Sequence, residues 1–197
     1  TIPEGIKAVP DHFCYGCTSL ADVTLPSTIT SIGTQSFYNC ASLREIKLPE
    51  GLETIGSSAF AYAALDKVSM PSTVITIRGN AFGNCDNLVT FAVNEGCTSI
   101  IGSPSAWNGC DNLTALYLPS TITKLFYYTF QNIPNIKEVH VKMAAPINPS
   151  DGNYNFGKSG CKLYVPVGSA DAYKAHQYWK NNWAEIVEEE YGLASLP

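Results

Sequence analysis

The pattern that determines the fold is clearest in residues 36–49, which read SFYNCASLREIKLP. An aromatic residue precedes Cys40 by three positions, and the phrase Leu-x-x-Ile-x-Leu-Pro follows at residues 43–49. The cysteine column recurs at intervals of 23, 23, 22, 25 and 23 residues, through Cys17, Cys40, Ala63, Cys85, Cys110 and Ile133. A period of this length predicts a solenoid, in which each unit is too small to fold alone and buries its apolar side against its neighbours.

Each Val/Ile-x-Leu-Pro phrase predicts one short β-strand, because its two apolar side chains lie two positions apart and point to the same face. Proline then ends the pairing, since it has no amide hydrogen to donate. A second apolar pair, such as Ile29 and Ile32, is expected to close the inner side of the coil. Candidate positive-φ glycines lie near that corner, at Gly33, Gly56 and Gly79.

The third side of the coil is expected to bury a column of aromatic anchors. The anchors precede the cysteine column by three residues, at Phe37, Phe60, Phe82, Trp107 and Phe130. In the first unit this slot holds Cys14, with Phe13 beside it. Burial of each large apolar side chain contributes roughly 1.5–3 kcal/mol, so repeated turns offset the ordering entropy of a thin coil.

Residues 36–43, 48–52 and 118–122 (SFYNCASL, LPEGL and LPSTI) resemble BspA-like leucine-rich repeats, a family of bacterial surface and secreted proteins. The resemblance covers Thr1 to about Val187, although Thr28 stands where the commoner leucine-rich form has asparagine. It implies a leucine-rich-repeat solenoid of short parallel β-strands stacked in a right-handed coil, mostly β and irregular, with one C-terminal capping helix. It also implies recognition or adhesion at a cell surface, not catalysis.

Three segments are predicted along the chain. Residues 1–166 form the solenoid, with six clear repeats and a partial repeat at each end; residues 167–187 form a helical cap; residues 188–197 form an acidic tail. The cap is predicted from Ser169 as N-cap and from the spacing of Tyr173, His176, Trp179 and Trp183, which puts these side chains on one face of a helix. Phe156 is expected to take the anchor slot before the cap, and the opening at Thr1 inside a repeat indicates a processed or trimmed product.

Composition excludes several classes of function. The chain has 197 residues, 45% of them hydrophobic and 15% charged, and its net charge is −5. The absence of a Lys/Arg cluster argues against a nucleic-acid partner, whose phosphates require a basic face. No apolar run approaches the ~20 residues of a membrane span. Extracellular or cell-surface localisation therefore rests on the family resemblance.

The seven cysteines are interpreted as structural. Cys17, Cys40, Cys85 and Cys110 occupy the inward column, Cys97 replaces an aliphatic residue, and Cys14 replaces an aromatic one. Cys14 and Cys17 form a Cys-x-x-Cys pair, but no second pair completes a zinc site. Buried thiols are favoured over metal or redox function, and disulfides within the column stay open as an alternative.

Other constellations give no catalytic or cofactor site. His12, His140 and His176 lie in different contexts, without a nucleophile and carboxylate that the repeat would place beside them. Residues 151–162 only faintly match a calcium loop, since Phe156 and Lys162 stand where glycine and glutamate are required. We therefore expect no metal, no cofactor and no enzymatic activity.

The outward face of the strands is the candidate binding surface. The middle residue of each phrase gives the row Thr24, Lys47, Ser69, Ala92, Tyr117, His140 and Tyr164. The candidate ligand-binding residues are the aromatic strip of Tyr117, His140 and Tyr164 and a charged patch with Arg44, Lys47 and Lys67. Cross-strand aromatic and charged pairs also stabilise sheets without any ligand, which is the alternative reading of both groups.

The resulting hypothesis is a non-enzymatic surface or secreted module that binds a host or neighbouring-cell surface or matrix protein through its exposed sheet face. One alternative is a carbohydrate-binding accessory protein, supported by the aromatic strip. Another is a structural spacer that holds a further domain away from the cell.

Overall fold

The computed structural model describes residues 2–101, 105–126, 128–130, 132–149 and 156–190, which wind into a parallel β-solenoid with one short helix. The strand phrases form two sheets on one side of the coil. Glu45–Lys47 (β3) pairs with Lys67–Ser69 (β5), and a five-stranded sheet contains Thr90–Ala92 (β7), Ala115–Leu118 (β9), Glu138–Val141 (β11), Lys162–Pro166 (β12) and Glu185–Glu189 (β13). The predicted stack of parallel strands is confirmed from the second unit onward.

The second apolar pair of each unit forms a sheet of its own on the opposite side. Its six strands are Ala8–Val9 (β1), Ser31–Ile32 (β2), Thr54–Ile55 (β4), Thr76–Arg78 (β6), Ser99–Ile101 (β8) and Lys124–Leu125 (β10). One apolar residue per strand points inward, so that Val9 lies beside Ile32 and Ile32 beside Ile55 in register. The sequence predicted the inward residues but not this second sheet, because strands of two or three residues leave no alternation to detect.

The core is a continuous stack of anchors, as predicted. The ring centroids of Phe37, Phe60 and Phe82 are 5.4 Å apart with nearly parallel planes. Phe91 lies between Phe82 and Trp107, at 4.8 and 5.2 Å from them. All these rings are buried in one hydrophobic cluster that runs the length of the coil.

The column thiols hydrogen-bond along the stack. Cys85 donates to the carbonyl of Phe60 at 3.1 Å, and Cys110 donates to that of Phe82 at 2.9 Å. Each thiol thus reaches the anchor of the preceding turn. The prediction for Cys17 is wrong, because this side chain is exposed.

The glycines near the corner have a different role from the predicted one. Gly33 and Gly56 do not have positive φ. A Cβ on Gly33 would lie 2.6 Å from the backbone nitrogen of Asp11, and one on Gly56 would lie 2.6 Å from the carbonyl carbon of Gly33. These glycines are therefore required by the close approach of successive turns. Positive φ occurs instead at non-glycine positions just after this corner, at His12, Gln35, Ser58 and Asn80.

Glycine and threonine alternate at the corner that follows the strand proline. The amides of Gly5, Gly51 and Gly96 donate to the threonine hydroxyl of the following turn, at 3.2, 3.0 and 3.1 Å, with Thr28, Thr73 and Thr121 as acceptors. Each hydroxyl donates in return to the carbonyl of the residue after that glycine, at 2.7, 2.9 and 2.7 Å. At this corner the sequence pattern therefore repeats every two turns, whereas the strand phrase repeats every turn.

The C-terminal segment differs from the predicted cap. The helix covers only Ala170–Ala175 (α1), and of the four aromatic residues assigned to it only Tyr173 lies within it. Trp179 is fully buried, and Phe156 donates its amide to the carbonyl of Tyr178 at 2.8 Å, as Phe37 does to Ala59. Trp179 thus serves as the anchor of a further turn.

That turn supplies its own strand, so the predicted acidic tail is also wrong at its start. Glu188 and Glu189 belong to β13, which pairs with β12 in parallel. The Glu188 carboxylate accepts the amide of Ala170 at 3.0 Å, while Ser169 donates its hydroxyl to Ala144 and does not cap α1 through its side chain. Residues 151–155, the core of the faint calcium-loop match, and residues 191–197 lie outside the described part of the chain.

Candidate binding surface

The predicted aromatic strip forms a stack across three strands. His140 on β11 lies in register with Tyr117 on β9 and with Tyr164 on β12. Its ring centroid is 4.3 Å from each tyrosine centroid, and the planes are tilted by 16° and 5°. The imidazole thus covers one face of both tyrosine rings.

His140 faces outward as predicted, but it is buried there, because the two tyrosine rings and the Glu189 carboxylate of the last turn cover it. Its residue exposure is 6%, and its Nδ1 lies 2.6 Å from Oε2 of Glu189 on β13. The Nε2 atom is 3.7 Å from Oε2 of Glu138, too far for a hydrogen bond. The strip is therefore a cross-strand ladder that connects β13 to the sheet.

Tyr117 keeps part of its surface open at the edge of this ladder. Its pKa is raised above the ordinary value, first by burial and then by the nearby carboxylates of Glu138 and Glu189. The phenol thus stays neutral at physiological pH and presents a hydrogen-bonding hydroxyl beside two carboxylates.

The predicted charged patch lies at the other end of the row, on β3 and β5. Arg44 contacts both carboxylate oxygens of Asp66 in the next turn, at 3.2 and 3.1 Å. This pair is well exposed, so it contributes only about 0–1 kcal/mol to stability. Lys47 and Lys67 are exposed on the same face. The patch is thus open to solvent, unlike His140.

The structure does not join the strip and the patch into one site. β3 and β5 form a sheet separate from the five strands that carry the aromatic residues. Exposure also decreases along the row, from exposed Thr24, Lys47 and Ser69 to buried His140. The accessible part of the outward face therefore lies toward the first turns.

A cleft of about 690 Å³ opens on this accessible part, between the first and second turns. It is lined by residues 21–25 and Ser27 on one side and by Arg44, Glu45, Lys47, Pro49 and Glu50 on the other. Sequence analysis missed the cleft because the first unit keeps the strand phrase.

The Cys-x-x-Cys pair lies in the first turn, where Cys14 is half-buried and Cys17 is exposed. Burial, together with the neighbouring Cys17, raises the pKa of Cys14 above its ordinary value. Reactive pairs of this kind depend on a lowered thiol pKa, so Cys14 lacks that activation. No group of three or more metal-ligating side chains occurs within the described residues. No helix in that part of the chain is both long and apolar enough to cross a membrane.

Known structures share this architecture. A leucine-rich repeat protein from Bacteroides ovatus is 17% identical with a TM-score of 0.59, and the match covers 95% of this chain and 60% of that one. The T. pallidum leucine-rich repeat protein is 25% identical with a TM-score of 0.64, over 90% of this chain and 76% of that one. The pneumococcal vaccine antigen PcpA is 23% identical with a TM-score of 0.62, over 84% of this chain and 40% of that one. No curated protein matches the chain.

The family model for the BspA type leucine-rich repeat region matches residues 7–137 in six copies. These copies coincide with the turns whose anchors and thiols stack in the core. The chain belongs to the BspA type leucine-rich repeat family.

Proposed function

We propose that this chain is a surface-exposed or secreted recognition module that binds proteins through the outward face of its strand-phrase sheets. The observation that carries the proposal is the open, mixed-charge face of β3 and β5. Glu45, Lys47, Lys67 and Ser69 point outward there, while Ile46 is buried beneath them. Membership of a family found in bacterial surface proteins supports the same function.

The stacked strip has a mainly structural role in this proposal. A sugar ring packs on an open aromatic face, yet His140 covers one face of Tyr117 and one of Tyr164. The burial of His140 against Glu189 further limits access. Protein binding through the charged patch is therefore favoured over carbohydrate binding through the strip.

The proposal is tested by charge reversal on the two opposite sheets. We expect Arg44→Glu, Lys47→Glu and Lys67→Glu together to change capture of extracellular matrix and cell-surface proteins in an immobilised array, because they reverse the basic charges of this face. The matched control reverses Lys7, Arg78 and Lys124, which are exposed on or beside the other sheet and change the net charge equally.

An equal change in both triple variants would assign binding to overall charge and not to this face. Capture of no protein or glycan by the folded chain would favour the spacer alternative. Loss of glycan capture on Tyr117→Ala and Tyr164→Ala, with protein capture unaffected, would favour the carbohydrate-binding alternative.

A further inference from the structure

The backbone ladder of the strand phrases is interrupted between the first and second turns. In later turns, apart from that of Val89, the residue after the first leucine donates its amide to its counterpart one turn earlier. Asp66 donates to Arg44 at 2.8 Å, and Lys137 donates to Thr114 at 2.8 Å. The corresponding bond from Arg44 to Ala21 is absent, although both residues are described.

A second backbone hydrogen bond of the ladder is missing at the same place. Val93 donates its amide to the carbonyl of Tyr117 in the next turn at 2.9 Å. The equivalent bond from Leu25 to Lys47 does not form, and residues 21–25 are not paired with β3. β3 therefore presents unpaired backbone donors and acceptors to the cleft.

The other break in these sheets, between β5 and β7, is bridged by a side chain. There Asn94 donates from its amide group to the carbonyl of Met70 in the preceding turn. Among the described residues no side-chain hydrogen bond joins residues 21–27 to residues 44–50. The first break is thus the one that leaves room for an added segment.

The cleft combines an apolar floor with an acidic rim. Val23 is half-buried, whereas its counterparts Ile46 and Leu116 are buried. Asp22, Glu45 and Glu50 line the rim, and none of these three described carboxylates forms an ion pair. Of the two basic residues in the lining, Arg44 is already paired with Asp66. The rim therefore has an excess of negative charge.

We infer that this cleft binds an extended, lysine- or arginine-bearing segment of a partner protein, which adds as a strand to the open edge of β3. Strand addition satisfies exposed backbone groups of a sheet edge, and alternate side chains of the added segment fill the pockets beneath. The basic side chains would lie against the acidic rim, and the apolar ones against Val23 and Leu25. This inference rests on the proposed protein-binding function and specifies its location and the chemistry of the ligand.

The test uses the full chain and a capped nonapeptide in which lysine and valine alternate. We expect the amide of Arg44 to exchange rapidly with solvent in the free protein and to become protected when the peptide is bound, as measured by NMR. The amide of Asp66, which already donates to Arg44, is the internal control and stays protected in both states. A peptide N-methylated at every residue should lose the protection, because it has no backbone N–H to donate to β3 and its methyl groups block close approach to the sheet edge.

Matched charge variants test the acidic rim. Asp22→Lys with Glu50→Lys should weaken peptide binding by about tenfold, since two attractive contacts become repulsive. Glu4→Lys with Glu53→Lys makes the same charge change at exposed positions outside the cleft and should leave binding within about twofold.

Three results would overturn the inference: no peptide binding at about 1 mM, no added protection at Arg44 in the bound state, or equal weakening by the two double variants. Capture of whole proteins is measured separately with the β3 and β5 lysine variants. Failure of the cleft is therefore distinguishable from failure of the proposed function.

Discussion

At the scale of single residues, stability depends on side chains that connect one turn to the next. The anchors do so by ring contacts, the column thiols by hydrogen bonds to anchor carbonyls, and the corner threonines by paired hydrogen bonds. Because each turn contacts only its neighbours, loss of one such side chain weakens two interfaces at once.

Phe82→Ala tests the anchor column. Phe82 is fully buried and contacts Phe60 and Phe91, so truncation should leave a cavity and cost about 3–5 kcal/mol. The measurement is the midpoint of urea denaturation. Val89→Ala removes an exposed apolar side chain and should change stability by less than about 0.5 kcal/mol. An unchanged midpoint for Phe82→Ala would contradict the anchor assignment.

Thr73→Val tests the corner hydrogen bonds. The hydroxyl of Thr73 accepts from Gly51 and donates to Leu52, so an isosteric methyl leaves both partners unsatisfied and should cost about 1–3 kcal/mol. Thr30→Val is the control, because that exposed hydroxyl makes a single long bond of 3.3 Å to Lys7. Equal shifts in melting temperature for the two variants would argue against a special role for the corner.

At the scale of secondary-structure elements, α1 and β13 stabilise each other. Tyr173 of α1 donates its hydroxyl to the carbonyl of Met143 at 2.8 Å, and Glu188 of β13 accepts the first helical amide. A six-residue helix is too short to be stable alone, so its contacts with the last turn are required.

Acidification tests the contact between Glu188 and α1. The amides of Ala170 and Gly168 lower the pKa of Glu188 from its ordinary 4.5, so the carboxylate stabilises the folded state above that pH. This contribution is lost as the pH falls through the lower folded-state pKa. The stability difference between the native chain and Glu188→Gln should therefore shrink from pH 7 to pH 3 in thermal denaturation.

Glu190→Gln is the control for loss of one negative charge in the same segment. A stability difference of the same size and pH dependence in this variant would exclude a specific role of Glu188. A difference for Glu188→Gln that does not change with pH would equally contradict the hydrogen-bonded carboxylate.

At the scale of the whole molecule, the repeat predicted the coil but not its ends. An anchor such as Phe60 has like neighbours on both sides, Phe37 and Phe82, so a local pattern specifies its burial. The exposure of Cys17 depends on an adjacent turn, and the cleft at Val23 depends on a missing hydrogen bond between turns. Neither property is encoded in the phrase itself.

The predicted helical cap differs from the last turn for a different physical reason. Tyr173 belongs to a real helix, and the spacing of His176, Trp179 and Trp183 continues its period by coincidence. Tertiary contacts place Trp179 in the anchor column and not on the helix, since its ring centroid lies 4.6 Å from that of Phe156. Helical spacing and anchor spacing could not be distinguished without the neighbouring turn.

Thiol labelling tests whether the core of the coil stays closed in the native state. Cys17 is exposed and should react with a disulfide reagent in the native state, whereas burial raises the pKa of Cys110 to about 12 and also raises that of Cys85 well above normal. These two should be labelled only when the coil opens, as followed by mass spectrometry. Cys17→Ser should remove the fast phase, and rapid native labelling of Cys110 would contradict the buried column.

The alternation of Gly51 and Thr73 has a consequence for how such a chain can change length. Removing one unit, residues 28–50, would place Gly51 where Thr28 now lies. The amide of Gly5 would then have no threonine hydroxyl to accept its hydrogen bond. Removing two units, residues 28–72, would instead set Gly5 against Thr73 and restore the bond. Units should therefore be gained or lost two at a time. A gene duplication that copies an even number of units keeps a glycine next to a threonine at the junction between old and new turns.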